Sequence, residues 1–352
     1  FDDPYATTPG GNPFPIPPPS ANVAYPAFGS FGTIDPDINS TRVQTWNVTV
    51  EQQIGQAWQA SASYLGSYMD HLWNQVALNP GRYLGEGPCS IAGVNYPVCT
   101  VAGNLDQRRV LYAQNPREAQ FLGPVDRHTD IGTQDYRGLK LSFRRRAADS
   151  LSLSGNYTVS HCVGNTTPAG FPQISAGYLK PDDPDFDRGN CVQNRTHVAN
   201  LTAGIMTPQF MTPALRAIAS NWRVSGILSA RSGSWLTVTT GRDIAATGIS
   251  AQRLNQVNDN PYGDKSLNNY LNPTAFSYPA NGTLGNHKIN SIEGPGYWSI
   301  DLAVSRLLSL SQTQNLELRL EAFNLLNNFN WGNPATNYDV GTFGKITSTQ
   351  GD

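Results

Sequence analysis

The stretch "NLELRLEAFNLLN", residues 315–327, sets Leu316, Leu318, Leu320 and Ala322 in one phase and Glu317, Arg319 and Glu321 in the other. Successive side chains of a strand point to opposite faces, so this period of two belongs to a sheet with one apolar and one polar face. A soluble sheet alternates as well. The number of such segments, and the way they are joined, decides between the two settings.

The pattern recurs along the chain. Trp46, Val48 and Val50 oppose Thr45, Asn47, Thr49 and Glu51, and Trp58, Ala60, Ala62 and Tyr64 oppose Gln59, Ser61 and Ser63. Leu139, Leu141 and Phe143 oppose Lys140, Ser142 and Arg144. Leu151, Leu153, Tyr157 and Val159 oppose Ser152, Ser154, Asn156 and Thr158. "THVANLTAGIM" with "NWRVSGILSAR", and "YWSIDLAVSRL" with the opening stretch, complete four hairpins over residues 43–325. This gives roughly eight strands of about ten residues, the length that spans a bilayer when tilted.

The joins alternate in length. Those within pairs are short, around Gly55, at residues 147–150, 208–220 and 308–314; those between pairs are long, at 69–135, 161–195 and 232–295. Outer-membrane barrels place short turns on the periplasmic side and long loops outside. A soluble sandwich gives no reason for such sorting, and structureless loops of that length are uncommon inside a compact domain. The expected fold is therefore all-β, an antiparallel transmembrane β-barrel segment with long external loops. The Pro/Gly-rich residues 1–42 and residues 326–352 are expected to be external loops too. Trp46, Trp58, Tyr64, Tyr68, Trp222, Tyr297 and Trp298 fall in or near strand ends, where an interfacial aromatic girdle would lie.

Composition agrees. Charged residues make up 14% of the 352, while 33 glycines and 25 prolines point to turn-rich β structure over helical bundles. A net charge of −2 gives no reason to expect a nucleic-acid partner. No window approaches the roughly 18 apolar residues of a membrane helix, which says nothing against a barrel. The chain starts at Phe1 without a basic and apolar leader, which reads as an internal cut with any targeting signal upstream.

Four cysteines form two local pairs, Cys89 with Cys99 and Cys162 with Cys191, without metal-ligand spacing. They read as loop disulfides of an oxidising compartment, with free thiols as the alternative. His71, His128, His161, His197 and His287 show no paired spacing, and there is neither a G-x-S-x-G elbow nor a P-loop, so no enzyme and no cofactor is expected. Asp183, Asp185 and Asp187 resemble the start of a calcium loop, but the sixth-position glycine is missing and Asn194 replaces the closing glutamate. An outer loop with its charges tied to Arg188 and Arg195 is the favoured reading. "NVT", "NYT", "NRT" and "NLT" read as chance sequons of a polar barrel interior, and the early proline run as a stiff external loop.

"GGNPFP", "VQTWNVTVEQQIGQAWQASASYLGSYMDHLW", "LNPTAFSYPANGTLGN", "GPGYWSIDLAVSR", "LELRLEAFNLLNNFNWGNP" and "FGKITSTQGD", in that order, resemble the barrel of Oar-like TonB-dependent outer-membrane transporters, abundant in acidobacteria. The resemblance covers nearly the whole chain. It implies a 22-stranded barrel filled by a plug, ligand uptake energised through TonB, and a location in the outer-membrane lipid. The chain would be the C-terminal part of that barrel, with the plug and one last strand absent. Leu316, Leu318, Leu320 and Ala322 would face lipid, while Glu317, Arg319, Glu321, Arg144, Arg223 and Asp301 would line the lumen. The rival reading is a secreted or surface β-rich structural protein, a barrel fragment self-associating through its open strand edges. A small eight-stranded pore is a third.

Overall fold

Eight long strands lie side by side in one antiparallel sheet, each next to its neighbour in sequence. They are β2 (Arg42–Ile54), β3 (Trp58–Ala77), β4 (Leu122–Ala148), β5 (Leu151–Gly164), β6 (His197–Met206), β7 (Trp222–Arg231), β8 (Tyr297–Ser309) and β9 (Asn315–Ala322). The sheet is not closed: β2 and β9 are its two edges in this computed structural model. The structure describes residues 5, 9–12, 25–148, 150–166, 176–309, 311 and 313–350.

Unbroken register carries the alternation of each strand across the sheet. Val50, Ala62, Leu141, Tyr157, Ala199, Ala230 and Trp298 are successive partners, and Phe143, Gly155, Leu201, Leu228 and Ile300 form the next such row. Leu151, Ile205, Val224, Val304 and Leu320 form another. Directly paired residues share a face, so these rows make one continuous apolar surface. Leu139, Leu141, Phe143, Ile205, Leu316, Leu318 and Leu320 are all exposed on it. Water does not tolerate an apolar surface of this extent on a monomer; lipid does.

The band has edges. On β4 the apolar face runs from Leu139 to Phe143 between Arg137 and Arg145, roughly 26 Å of strand at about 3.3 Å per residue. On β8 it is bracketed by Trp298 and Arg306. A tilt of about 40° reduces this to roughly 20 Å along the membrane normal, somewhat less than the roughly 25 Å apolar belt of an outer-membrane barrel. Arg145 lies over the Trp58 ring and Arg306 over the Trp222 ring at the short-turn end. At the other end the Trp46 indole covers Gly66, where a Cβ would come within 2.2 Å of it. The glycine there makes room for an aromatic cross-strand contact.

The long connections are not open loops. β3 continues to Ala77 and β4 begins at Leu122, so much of the expected 69–135 loop is strand. Here Asn74, Gln75, Val76, Asp126, His128 and Thr129 are buried, so both faces are covered and the polar/apolar alternation disappears. A bulge at Met69–Leu72, with His71 at φ 54°, separates this extension from the membrane-height part of β3. A strand that the sequence left inside the N-terminal loop, β1 (Gly29–Ile34), pairs in parallel with the β4 extension. The chain then crosses to β2, held by Asn39 and His71, which both bond Asp130 at 2.8 Å.

Residues 232–296 and 323–350 fold into a cap at the same end. Val238, Leu254, Leu271, Ala275, Phe276 and Ile292, with Phe343 and Ile346, form its core. Full burial contributes about 1.5–3 kcal/mol for each of the larger aliphatic and aromatic side chains. The most buried apolar cluster of the molecule thus sits outside the sheet.

Candidate functional site

The sheet's second face is polar. Gln59, Arg144, Ser154, Thr202, Ile227 and Asp301 form one row of direct partners across β3 to β8. Ser152, Gly204, Ser225, Ala303 and Glu321 form the next, and Met206, Arg223, Ser305 and Arg319 the one after. Glu317 pairs with Leu307 on the same face. The register therefore brings Arg144, Arg223, Asp301, Glu317, Arg319 and Glu321 onto one side of the sheet, opposite the apolar band. Arg319 and Glu321 are an ion pair at 2.5 Å, and Asp301 accepts a bond from the Asn324 backbone N–H at 2.8 Å. Of the seven aromatics expected at strand ends, Trp46, Trp58, Tyr64, Tyr68, Trp222 and Trp298 share the apolar phase. Tyr297 does not: it stands on the polar face, with the Arg231 guanidinium 4.6 Å from its ring centre.

The cap is tied to the wall by polar contacts between connections far apart in sequence. Asp187 bonds Arg253 with both side chains nearly inaccessible, 8% and 3% exposed, and its other oxygen accepts from the Leu179 N–H at 2.7 Å. Asn190 and Asn290 each donate a side-chain amide to the other's carbonyl, at 2.8 and 2.7 Å. Arg108, also buried, donates to Asn104 and to the carbonyls of Arg82 and Ala246. Burial lowers its pKa from the usual guanidinium value, an effect that nearby Asp243 opposes. Disulfides Cys89–Cys99 and Cys162–Cys191 are both formed, the second fixing the end of β5 to the turn after Asn190.

These contacts redistribute the acidic run. Asp183 pairs with Lys180, Asp185 lies 4.0 Å from Arg188 and Asp187 belongs to Arg253. The three carboxylates do not converge, and no group of three metal-ligating side chains occurs among the described residues. The expected tie of Arg195 to the acidic run is not made: its Nη1 bonds the carbonyls of Val192 and Asn194. The histidines are separate from one another: His71 pairs with Asp130, His197 stacks on Tyr157, and His287 lies in the cap core.

Two recesses open where the wall meets the cap. One, of about 440 Å³, is bounded by Arg195, Arg231, Ser234, Asn333, Ser348 and Gln350. The other, of about 610 Å³, lies over the upper rim of the apolar face, among His197, Trp298, Phe329 and Trp331. The strand pattern holds the signal for Arg231, which continues the phase of Arg223, Ser225 and Ser229 in "RVSGILSAR". Nothing local marks Arg253, whose partner is 66 residues away.

A family model described as an outer membrane beta barrel domain matches residues 1–352. Among solved structures, the outer membrane transporter YddB from Escherichia coli is similar at a TM-score of 0.42 and 10% identity, over 83% of this chain and 30% of that one. The FrpB iron transporter from Neisseria meningitidis (F3-3 variant) gives a TM-score of 0.40 and 10% identity, over 90% of this chain and 31% of that one. The chain thus spans about a third of the length of these transporters. No curated protein matches the sequence.

Proposed function

The chain belongs to the outer membrane beta barrel domain family and to the bacterial outer membrane, and from that premise we propose that it is part of the wall of a TonB-dependent transporter of Oar-like type. The apolar face meets lipid, and the polar face, with Arg144, Arg223, Asp301, Glu317, Arg319 and Glu321, lines the lumen. The observation that carries this is the register: eight strands keep one face apolar over the height of a bilayer and the other face polar. A lumen wall needs charge and hydroxyls, because solute and plug both pass against it.

The cap covers the outer mouth, where loops select the ligand. Energy for uptake comes from TonB, acting on a plug carried by another part of the full-length protein.

The test is made on native protein. Site-specific photo-crosslinking in cells should trap the full-length protein with TonB, and extraction from envelopes should require detergent. Recovery of a detergent-free species without a TonB adduct would overturn the transport reading and favour a self-assembling β-protein.

A further inference from the structure

The recess bounded by Arg195 and Arg231 brings two guanidiniums to one place. In the cap Arg253 has a carboxylate partner in Asp187 and Arg242 in Asp339, and in the connection before β6 Arg188 has Asp185. Neither Arg195 nor Arg231 has one among the described residues. Nη1 of Arg195 is held by two backbone carbonyls, and Nε and Nη2 have no partner among the described residues. Arg231 lies against the Tyr297 ring and reaches Gln350 at 3.4 Å. The guanidinium of Arg195 is held below its ordinary pKa, first by burial and then by the charge of Arg231. Two cations that disfavour one another, in a chain whose net charge is −2, make a local positive site with no ion-paired carboxylate among the described residues.

We infer that this recess binds a soluble oxyanion, a carboxylate- or phosphate-bearing solute, between Arg195 and Arg231. A planar guanidinium presents paired N–H donors that match the two oxygens of such a group. The ring of Tyr297 fixes the plane of one guanidinium, and the backbone carbonyls of Val192 and Asn194 orient the other. Asn333 and Ser348 add neutral polar groups at the rim, where Ser234 donates to Asn333 and Gln350 to backbone carbonyls, and a volume of about 440 Å³ suits a small molecule. Arg231 is in the polar phase of β7 and borders both this recess and the one at the rim of the apolar face. The inference deepens the transport reading by naming the class of cargo, and it rests on that reading only for the word cargo.

Titration calorimetry of the full-length protein in neutral detergent, with citrate and with inorganic phosphate, tests it. At least one probe should bind saturably and weaken with added salt, while sorbitol should not bind. Arg195→Gln and Arg231→Gln should each weaken binding about tenfold or more, and Arg117→Gln, on an exposed helix, should leave it unchanged. Arg231→Lys, which keeps the charge but loses the planar fork, should fall between wild type and Arg231→Gln and guards against a misfolded glutamine variant. No binding of either probe, or binding equal in both glutamine variants and wild type, would overturn the site. Binding to vesicles containing a phosphate-bearing lipid, without binding of the soluble probes, would overturn a solute as its ligand. Citrate or phosphate binding in a protein that gives no TonB adduct would retain the site and sink only the transport reading.

Discussion

His287 sits in the apolar centre of the cap, edge-on to Phe276, with Nε2 accepting from the Val238 N–H at 3.1 Å and Nδ1 bonded to Gln256 at 3.0 Å. That arrangement needs a neutral ring. Burial, and then the nearby Arg253 charge, push its pKa down to about 4 from 6.5. Between those values the unfolded cap takes up a proton that the folded cap refuses, so stability is whole above about pH 6.5 and falls as pH drops towards 4. The loss over that window is a few kcal/mol, at about 1.4 kcal/mol for each pH unit. Hydrogen exchange of the cap amides at pH 7 and pH 4.5 should show it. His287→Gln, which retains an acceptor and a donor, should flatten the dependence; an equally steep profile in that variant would assign the effect to other groups. At this scale the sequence was least legible, because His287 and Arg253 take their roles from partners tens of residues away.

At the scale of the strand, one substitution should have opposite consequences one residue apart. Leu141 is exposed in the middle of the apolar band and Ser142 faces the polar side between Asn156 and Ser61. Leu141→Arg places a charge in lipid and should cost about 2–4 kcal/mol, whereas Ser142→Arg should be tolerated. Heat-modified gel mobility and denaturant midpoints of the two variants would measure this, and equal destabilisation would count against a lipid-facing band. Alternation is legible in sequence wherever one face meets lipid and the other water. It failed for the β3 and β4 extensions, where both faces are covered, and for the cap, whose strands are as short as Trp235–Leu236 and Asn255–Gln256. A two-residue strand has no period to read. β1 escaped notice for a related reason: its six residues, "GSFGTI", hold two glycines and pair with an extension that was itself read as loop.

For the whole molecule, sorted joins and constant register combine into one arrangement: a wall with short turns at one end and a cap at the other. The sequence showed the sorting but not that the long joins share a core, since Phe343 and Ile346 meet Leu254 and Leu271 only after folding. The Asp187–Arg253 and Asn190–Asn290 contacts hold that cap to the connection after β5, which the Cys162–Cys191 disulfide fixes to the wall. On the proposed reading the apolar face meets lipid and the polar face the water-filled lumen. The most direct measurement is the accessibility of single spin labels placed at each position from Leu316 to Ala322, in the full-length protein in bilayers, to oxygen dissolved in lipid and to a water-soluble nickel chelate. A period of two is expected, with Leu316, Leu318, Leu320 and Ala322 reached from lipid and Glu317, Arg319 and Glu321 from water. A strand whose two faces are reached equally, or in the opposite phase, would contradict it.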